Sequence, residues 1–135
     1  MAKTGSFHCS VITPERSVLD CEAAFVAFPA HDGEMGVLPH RAPLVCKLGI
    51  GPLRVESQGK SETYFIDGGF AQMLNNRLTI LTEQARKASE LQPAAAEQAL
   101  STARALPIPD EQAFEARQRS IQRARVQLKL AKNAS

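Results

Sequence analysis

The residues best suited to chemistry lie in one stretch of the chain, residues 28–44. This stretch carries two histidines, two carboxylates and an arginine, namely His31, Asp32, Glu34, His40 and Arg41. Imidazole and carboxylate groups can bind a divalent metal or transfer protons in acid–base catalysis. The stretch holds no serine or cysteine that a neighbouring base could activate as a nucleophile. We therefore predict neither a catalytic nor a metal site, which leaves two interpretations: a binding surface, or a structural turn between strands.

The three cysteines, Cys9, Cys21 and Cys46, are a second possible source of chemistry. They are widely spaced and odd in number, and no Cys-x-x-Cys pair is present. His8 precedes Cys9, but no further ligand follows at the spacing of a zinc site. Each cysteine lies in an apolar segment, so we interpret all three as small buried side chains in a reducing compartment.

Basic side chains recur without any acidic residue from Ala116 onward: Arg117, Arg119, Arg123, Arg125, Lys129 and Lys132. A face of this kind can bind phosphate groups, which would make binding strongly salt-dependent. However, no aromatic side chains that could stack on bases accompany it. A small basic nucleic-acid-binding or adaptor protein therefore stays an alternative, beside a protein contact and a solvated helix face.

The composition is that of a globular chain with a sizeable core. Of its 135 residues, 44% are hydrophobic and 22% charged, and the net charge of +2 implies no nucleic-acid or membrane partner by itself. No apolar run approaches the roughly 18 residues of a membrane span. The N-terminal hexapeptide lacks the apolar segment of a secretory signal. We expect the chain to be made and used in the cytosol.

The elements that position the charged stretch are predicted to be β-strands. Apolar segments recur about every ten residues up to residue 82 and are joined by turns rich in glycine, proline and asparagine, a pattern typical of a sandwich or barrel. The segments are residues 7–12, 17–20, 21–28, 44–48, 53–56, 63–66, 70–74 and 77–82. Residues 49–52 and 67–69 are expected to break the run, and Asn75–Asn76 to form a type I′ turn.

The charged stretch itself is too rich in glycine and proline for a helix. Because Met35, Val37 and Leu38 are apolar, we expect it to fold back on its own sheet and to bury these side chains.

A helical hairpin is predicted for the rest of the chain, which contains no glycine from Gln84 onward. Pro93 suits the first position of a helix after Gln92, and Asp110 suits the N-cap of a second helix after Pro107–Pro109. The stripes expected to pack together are Ala95, Ala99, Ala103 and Leu106 on the first helix and Phe114, Ile121, Ala124, Leu128 and Ala131 on the second. Alanine-rich faces bury little apolar area, so the hairpin should be weakly held.

Four motifs in this order, followed by a helical hairpin, resemble the epsilon subunit of bacterial-type ATP synthases. The motifs are Thr13-Pro-Glu-Arg16, the stretch Phe28–Leu44, Leu48-Gly with Gly51-Pro-Leu53, and Asp67-Gly-Gly-Phe70. The resemblance implies a flattened ten-stranded β-sandwich in residues 1–87, bound to the gamma subunit and the c-ring, and a movable regulatory hairpin in residues 88–135. It also implies a non-catalytic rotor subunit, peripheral to the cytoplasmic face of the bacterial inner membrane.

The resemblance assigns roles to both charged regions. The family's c-ring loop, Gly-Glu-hydrophobic-Gly followed by Leu-Pro-Gly-His-Ala-Pro-Leu, matches residues 33–44, although His40-Arg41 replaces its Gly-His pair. The implied c-ring contacts are His31, Asp32, Glu34, Met35, His40 and Arg41. The basic helix would meet acidic segments of the catalytic alpha and beta subunits through Arg117, Arg119, Arg123, Arg125 and Lys129.

No cofactor is implied. Some family members bind ATP through Ile/Leu-Asp-x-x-Arg-Ala, but the aligned residues 91–96 lack both the carboxylate and the guanidinium. We therefore predict no nucleotide site.

Overall fold

The computed structural model of the protein describes residues 5–134. The chain divides into two compact units, and the boundary falls between Arg86 and Lys87. The first unit is built from β-strands and the second from helices, so the predicted order of a mainly-β part and a helical part is confirmed. The prediction that no secretory signal is present falls mainly on residues 1–4, which lie outside the described residues.

The first unit consists of one sheet that folds over a single core. The strand order is β2-β1-β7-β6-β5-β3-β4, with β8 paired to β6. The core takes buried side chains from every strand between β1 and β7, among them Phe7, Val37 and Tyr64. The strands are β1 Phe7–Ile12, β2 Ser17–Ala23, β3 Phe25–Ala30, β4 Gly33–Val37, β5 Leu44–Ser57, β6 Lys60–Leu74, β7 Arg77–Leu81 and β8 Ala85–Lys87.

The described residues form eight strands rather than the expected ten, because β5 and β6 run through both predicted breaks. In β5, Pro52 lies where the β3–β5 register shifts, so its missing amide interrupts no regular ladder on that side. In β6, Gly68 and Gly69 adopt positive φ and kink the strand without ending it. Pro52, Gly68 and Gly69 therefore lie inside two long strands and do not end them. The two strands pair with each other from Leu44–Met73 to Ser57–Lys60.

The predicted hairpin turn at Asn75–Asn76 is confirmed, and a second turn of the same geometry joins β5 to β6. Asn75 and Asn76 adopt φ of 52° and 61° in the two-residue connection of β6 to β7, and Gln58 and Gly59 do so at 52° and 79° between β5 and β6. Positive φ at both central residues is the geometry of a type I′ turn, which matches the twist of the strands it joins.

The charged stretch is more regular than a loop, since it contains the end of β3 and all of β4. It does fold back on its own sheet, because β4 pairs with β3 from Val26–Val37 to Ala30–Gly33. Val37 is fully buried and Met35 is half-buried. The expected burial of Leu38 is wrong, because β4 ends at Val37 and the Leu38 side chain is 62% exposed.

The second unit is a helical hairpin preceded by a 3₁₀ turn, Ala88–Glu90, that the sequence did not predict. Helix α1 spans Pro93–Arg104 after Gln92, and α2 spans Glu111–Ala134. The predicted N-cap is confirmed, since Asp110 Oδ1 accepts a hydrogen bond of 2.7 Å from the amide of Ala113. Among residues 5–134, no helix combines the length and apolar character needed to cross a membrane.

The predicted helix stripes are only partly correct. On α1 the buried residues are Ala96 and Ala103, whereas Ala95, Ala99 and Leu106 are exposed. On α2, Ile121, Ala124 and Ala131 are buried and Leu128 is half-buried, but Phe114 is 45% exposed. The error at Phe114 has a simple cause: the residue lies in the first turn of α2, beside the proline-rich connection, where α1 has already ended.

Candidate functional site

The first part of the charged stretch is a turn fixed to the sheet. His31 and Asp32 form the connection between β3 and β4, and the amide of His31 donates a 3.0 Å hydrogen bond to the carbonyl of Lys47 on β5. Glu34 and Met35 follow on β4. The side chains of His31, Asp32 and Glu34 are all exposed.

The second part of the stretch is held by a different contact. His40 adopts φ of 64°, the left-handed conformation that a glycine would take easily. Its amide donates a 2.8 Å hydrogen bond to Asn76 Oδ1, and the Asn76 amide group donates to the carbonyl of Ser6. The asparagine of the β6–β7 turn therefore fixes the backbone, while the side chains of His40 and Arg41 remain exposed.

We call the side chains presented by these two fixed segments the charged loop surface: His31, Asp32, Glu34, Met35, His40 and Arg41. Within the described part of the chain, none of its charged side chains forms a salt bridge or a side-chain hydrogen bond. The Asp32 carboxylate lies close enough to Cys46 to act on its thiol electrostatically. Burial, with a smaller contribution from the Asp32 carboxylate, raises the pKa of the Cys46 thiol. The charged loop surface is therefore fixed in its backbone at His31 and His40, and its charged side chains form no ion pair within residues 5–134.

All three cysteines are free thiols; Cys9 is buried as predicted, whereas Cys21 and Cys46 are only half-buried. Burial first, then the neighbouring Cys21 and Asp20, raise the pKa of Cys9 to about 12. Burial also raises the pKa of Cys21, which lies opposite Cys9 across the β1–β2 ladder. Thiolate is the reactive form, so these shifts suppress reactivity. Across residues 5–134, His, Cys, Asp and Glu side chains form no group of three or more that could hold a metal.

One charged cluster was missed by the sequence analysis. His8 contacts Asp20 through Nε2 and Glu22 Oε2 through Nδ1, the latter at 3.1 Å. The β1–β2 register places His8 opposite Glu22 and Ser10 opposite Asp20. The alternating pattern of side chains along the two strands is the only sequence signal for this pairing. It was missed because the second strand was predicted to end at Asp20, before Glu22. The cluster joins β2, at the end of the sheet, to its neighbour.

The basic side chains of α2 fall into two groups. Arg119, Arg125 and Lys129 are exposed and form no salt bridge or side-chain hydrogen bond within residues 5–134. Arg117 is half-buried, and its Nη2 donates a 2.9 Å hydrogen bond to the backbone carbonyl of Arg104. Arg123 is also half-buried and lines a groove of about 360 Å³ between α1 and α2.

Comparison with known families assigns the first unit. The family model described as "ATP synthase, Delta/Epsilon chain, beta-sandwich domain" matches residues 6–88. This match covers more than half of the chain and agrees with the observed β unit.

Relatives extend the similarity over the helices. The ATP synthase epsilon chain of Rhodopirellula baltica is 39% identical over 127 residues, which cover 94% of this chain and 99% of that protein. The ATP synthase epsilon chain of Nitratidesulfovibrio vulgaris (strain DP4) is 33% identical over 131 residues, covering 96% and 98%. The similarity therefore includes both units, and it does not favour the nucleic-acid-binding alternative.

Solved structures share the fold. A chain of the Euglena gracilis mitochondrial ATP synthase, determined as an OSCP/F1/c-ring assembly, superposes with a TM-score of 0.82 at 28% identity and covers 95% of this chain and 82% of that one. A chain of the Tetrahymena thermophila central stalk and c-ring superposes at 0.74 with 13% identity, covering 96% and 99%, which supports the fold alone. A β-sandwich with a helical hairpin, matched in sequence along nearly its whole length, places this chain in the ATP synthase epsilon-chain family.

Proposed function

We propose that this chain is the epsilon subunit of a proton-translocating ATP synthase, a rotor part of the central stalk that couples rotation of the c-ring to the gamma shaft. The observation that carries the proposal is the similarity of both units, over 94% of the chain, to an ATP synthase epsilon chain. The subunit acts mechanically and has no catalytic site of its own. Through the complex it lies at the cytoplasmic face of the bacterial inner membrane, where its first unit binds the gamma subunit.

The charged loop surface is the proposed contact with the c-ring. Its backbone is fixed at His31 by β5 and at His40 by Asn76, so the surface keeps its shape when it carries force. Its exposed charges have no competing salt bridges within the described residues and can pair with polar loops of the ring. Exposed pairs each contribute at most about 1 kcal/mol, so attachment depends on several of them together.

The experiment replaces Glu34 and Arg41 by alanine and rebuilds the ATP synthase with this variant. We expect weaker attachment to the ring and poorer proton pumping, with the unfolding midpoint of the isolated chain unchanged. Glu15→Ala with Arg16→Ala is the matched control, since it removes the same two exposed charges from the β1–β2 turn. If ring attachment and pumping stay normal in the Glu34/Arg41 variant, the contact lies elsewhere.

The helical hairpin is the proposed regulator of ATP hydrolysis. In the folded state, the buried stripe of α2, Ile121, Ala124 and Ala131, packs on the alanines of α1. Extended along gamma, the same stripe packs on a partner while the exposed basic residues meet acidic groups of the catalytic alpha and beta subunits. The two states compete for one small apolar surface, so a differential affinity of a few kcal/mol shifts the balance.

Deleting residues 88–135, or replacing Arg119 and Arg125 by glutamine, should raise ATP hydrolysis by the rebuilt complex. Gln122→Ala, an exposed uncharged position on the same helix, is the control and should leave hydrolysis unchanged. Equal hydrolysis with the deleted and the full-length chain would show that the hairpin does not regulate the enzyme.

A further inference from the structure

We propose that Arg117 is a latch for the folded hairpin, and that it acts in the opposite direction to the exposed arginines of the same helix. The contact that carries this inference is the 2.9 Å hydrogen bond from Arg117 Nη2 to the backbone carbonyl of Arg104. The consequence for ATP hydrolysis rests on the proposed function of the hairpin, whereas the latch itself does not.

The end of α1 explains why the Arg104 carbonyl needs this donor. The last carbonyls of a helix have no partner within the helix and are often satisfied by amides a few residues further on. Ala105 and Leu106 donate to Ser101 and Ala103. Pro107, three residues after Arg104, has no amide hydrogen, and the amide of Ile108, four residues after it, donates no hydrogen bond to the Arg104 carbonyl within residues 5–134. Arg117, reaching across from α2, supplies the missing donor.

The charge of Arg117 adds to this contact. The C-terminal end of a helix carries partial negative charge, and a cation placed there stabilises the helix. A hydrogen bond from a charged donor is also stronger than one from a neutral donor. Arg117 Nε is enclosed and finds no hydrogen-bond partner among residues 5–134, a cost of the folded position that the Nη2 hydrogen bond must outweigh.

The latch exists only while the two helices lie side by side. When α2 leaves α1, the Arg104 carbonyl and the Arg117 guanidinium separate and the hydrogen bond is lost. Arg119 and Arg125 make no such contact with α1 and are exposed in the folded hairpin. Arg117 therefore favours the folded state, and the exposed arginines favour any state in which a partner neutralises them.

The first test measures amide hydrogen exchange in the isolated full-length chain. Arg117→Gln should accelerate exchange in the last turn of α1 and the facing part of α2 by roughly two- to tenfold, the range expected for one hydrogen bond. Arg117→Lys, which keeps the charge but loses the planar donor, should give a smaller increase. Arg119→Gln removes the same charge from the exposed side and should leave these rates unchanged. Exchange in β1–β7 reports whether each variant is folded. Equal rates in Arg117→Gln and Arg119→Gln would overturn the latch.

The second test measures ATP hydrolysis in rebuilt complexes. Arg117→Gln should lower ATP hydrolysis, because loss of the Arg117 hydrogen bond lets α2 leave α1 and inhibit the enzyme. Arg119→Gln should raise ATP hydrolysis. An increase with Arg117→Gln would overturn the inference. Faster exchange with unchanged hydrolysis in both variants would uphold the latch but overturn the proposed inhibitory role, so the two failures are distinguishable.

Discussion

At Gly69 the backbone alone decides which residue can be present. Its φ is 105°, and a Cβ built there would lie 1.8 Å from the carbonyl oxygen of Leu81. Gly59 also has positive φ, at 79°, but no atom lies within 4 Å of its Cβ position. A side chain at Gly59 would therefore meet only backbone strain, whereas a side chain at Gly69 would also collide with β7.

Gly69→Ala should destabilise the first unit by more than about 3 kcal/mol, because β6 and β7 must move apart. Gly59→Ala should cost only about 1 kcal/mol, the strain of a left-handed alanine. Urea unfolding of both variants checks this, and similar losses would mean that the sheet absorbs the collision.

Tyr64 is the only tyrosine of the chain, and its environment predicts an unusual titration. Burial first, and then the Glu62 carboxylate 3.3 Å from its hydroxyl, raise the pKa of Tyr64 to about 12. The native state thus holds the phenolic proton more tightly than the unfolded chain does. The protonated Tyr64 therefore adds to the free energy of unfolding below about pH 10, and this added stability is lost as the pH rises towards 12. Tyrosinate absorbance should appear near pH 12 in the native chain and near pH 10 in urea. Identical midpoints would show that Tyr64 is solvated.

At the scale of the elements, the end of β4 gives two neighbouring apolar residues opposite environments. Val37 closes the strand and is fully buried, whereas Leu38 follows it and is 62% exposed. Val37→Ala should therefore lower the free energy of unfolding by about 2 kcal/mol, and Leu38→Ala by less than about 0.5 kcal/mol. Chemical denaturation measures both. A larger loss at Leu38 would show that this side chain is packed in solution.

The sequence predicts those elements best whose signals are local. Asp110 and Pro93 mark helix starts, and Asn75–Asn76 marks a turn, because each acts on its own backbone. Prediction from the sequence fails where pairing with a neighbouring strand determines whether a segment continues as a strand. Pro52 and Gly68 look like chain breaks until the partners of β5 and β6 are known. Burial was wrongly predicted for Leu38 and Phe114 for the same reason. The pattern of apolar residues in one segment does not show where the strand or helix that would cover them ends.

The candidate site shows the same limit at the level of single contacts. The charged loop surface could be predicted because charge and turn chemistry are visible in one stretch. The hydrogen bond from the His40 amide to Asn76 Oδ1 spans 36 residues, and that from Arg117 to the Arg104 carbonyl depends on how two helices pack. No periodicity encodes such contacts, so the role of Arg117 required the structure.

At the scale of the whole molecule, the two units differ in how they are stabilised. The buried aromatic side chains, Phe7, Phe28, Tyr64 and Phe65, all belong to the first unit, whereas the hairpin buries mainly alanines. We therefore expect a chain truncated after Lys87 to unfold cooperatively and to keep the gamma binding that we propose for the β unit. Urea unfolding and a gamma pull-down test this, with the full-length chain as control. Aggregation or loss of gamma binding would show that the β unit depends on the hairpin.

The pairing of β5 with β6 also determines how the β unit responds to force. The pairs keep one register from Leu44–Met73 to Ser57–Lys60, and Gly49 and Gly68 are the one opposed pair in this ladder that is left unpaired. A pull along these strands loads all their hydrogen bonds at once, whereas a pull across them would open the bonds one after another, as a zipper opens. Tension applied between the start of β5 and the end of β6 acts across the strands, because both ends lie on the same side. The β5–β6 pair is therefore mechanically anisotropic: stiff to shear along its strands, and weaker when peeled open from the end that carries the charged loop surface.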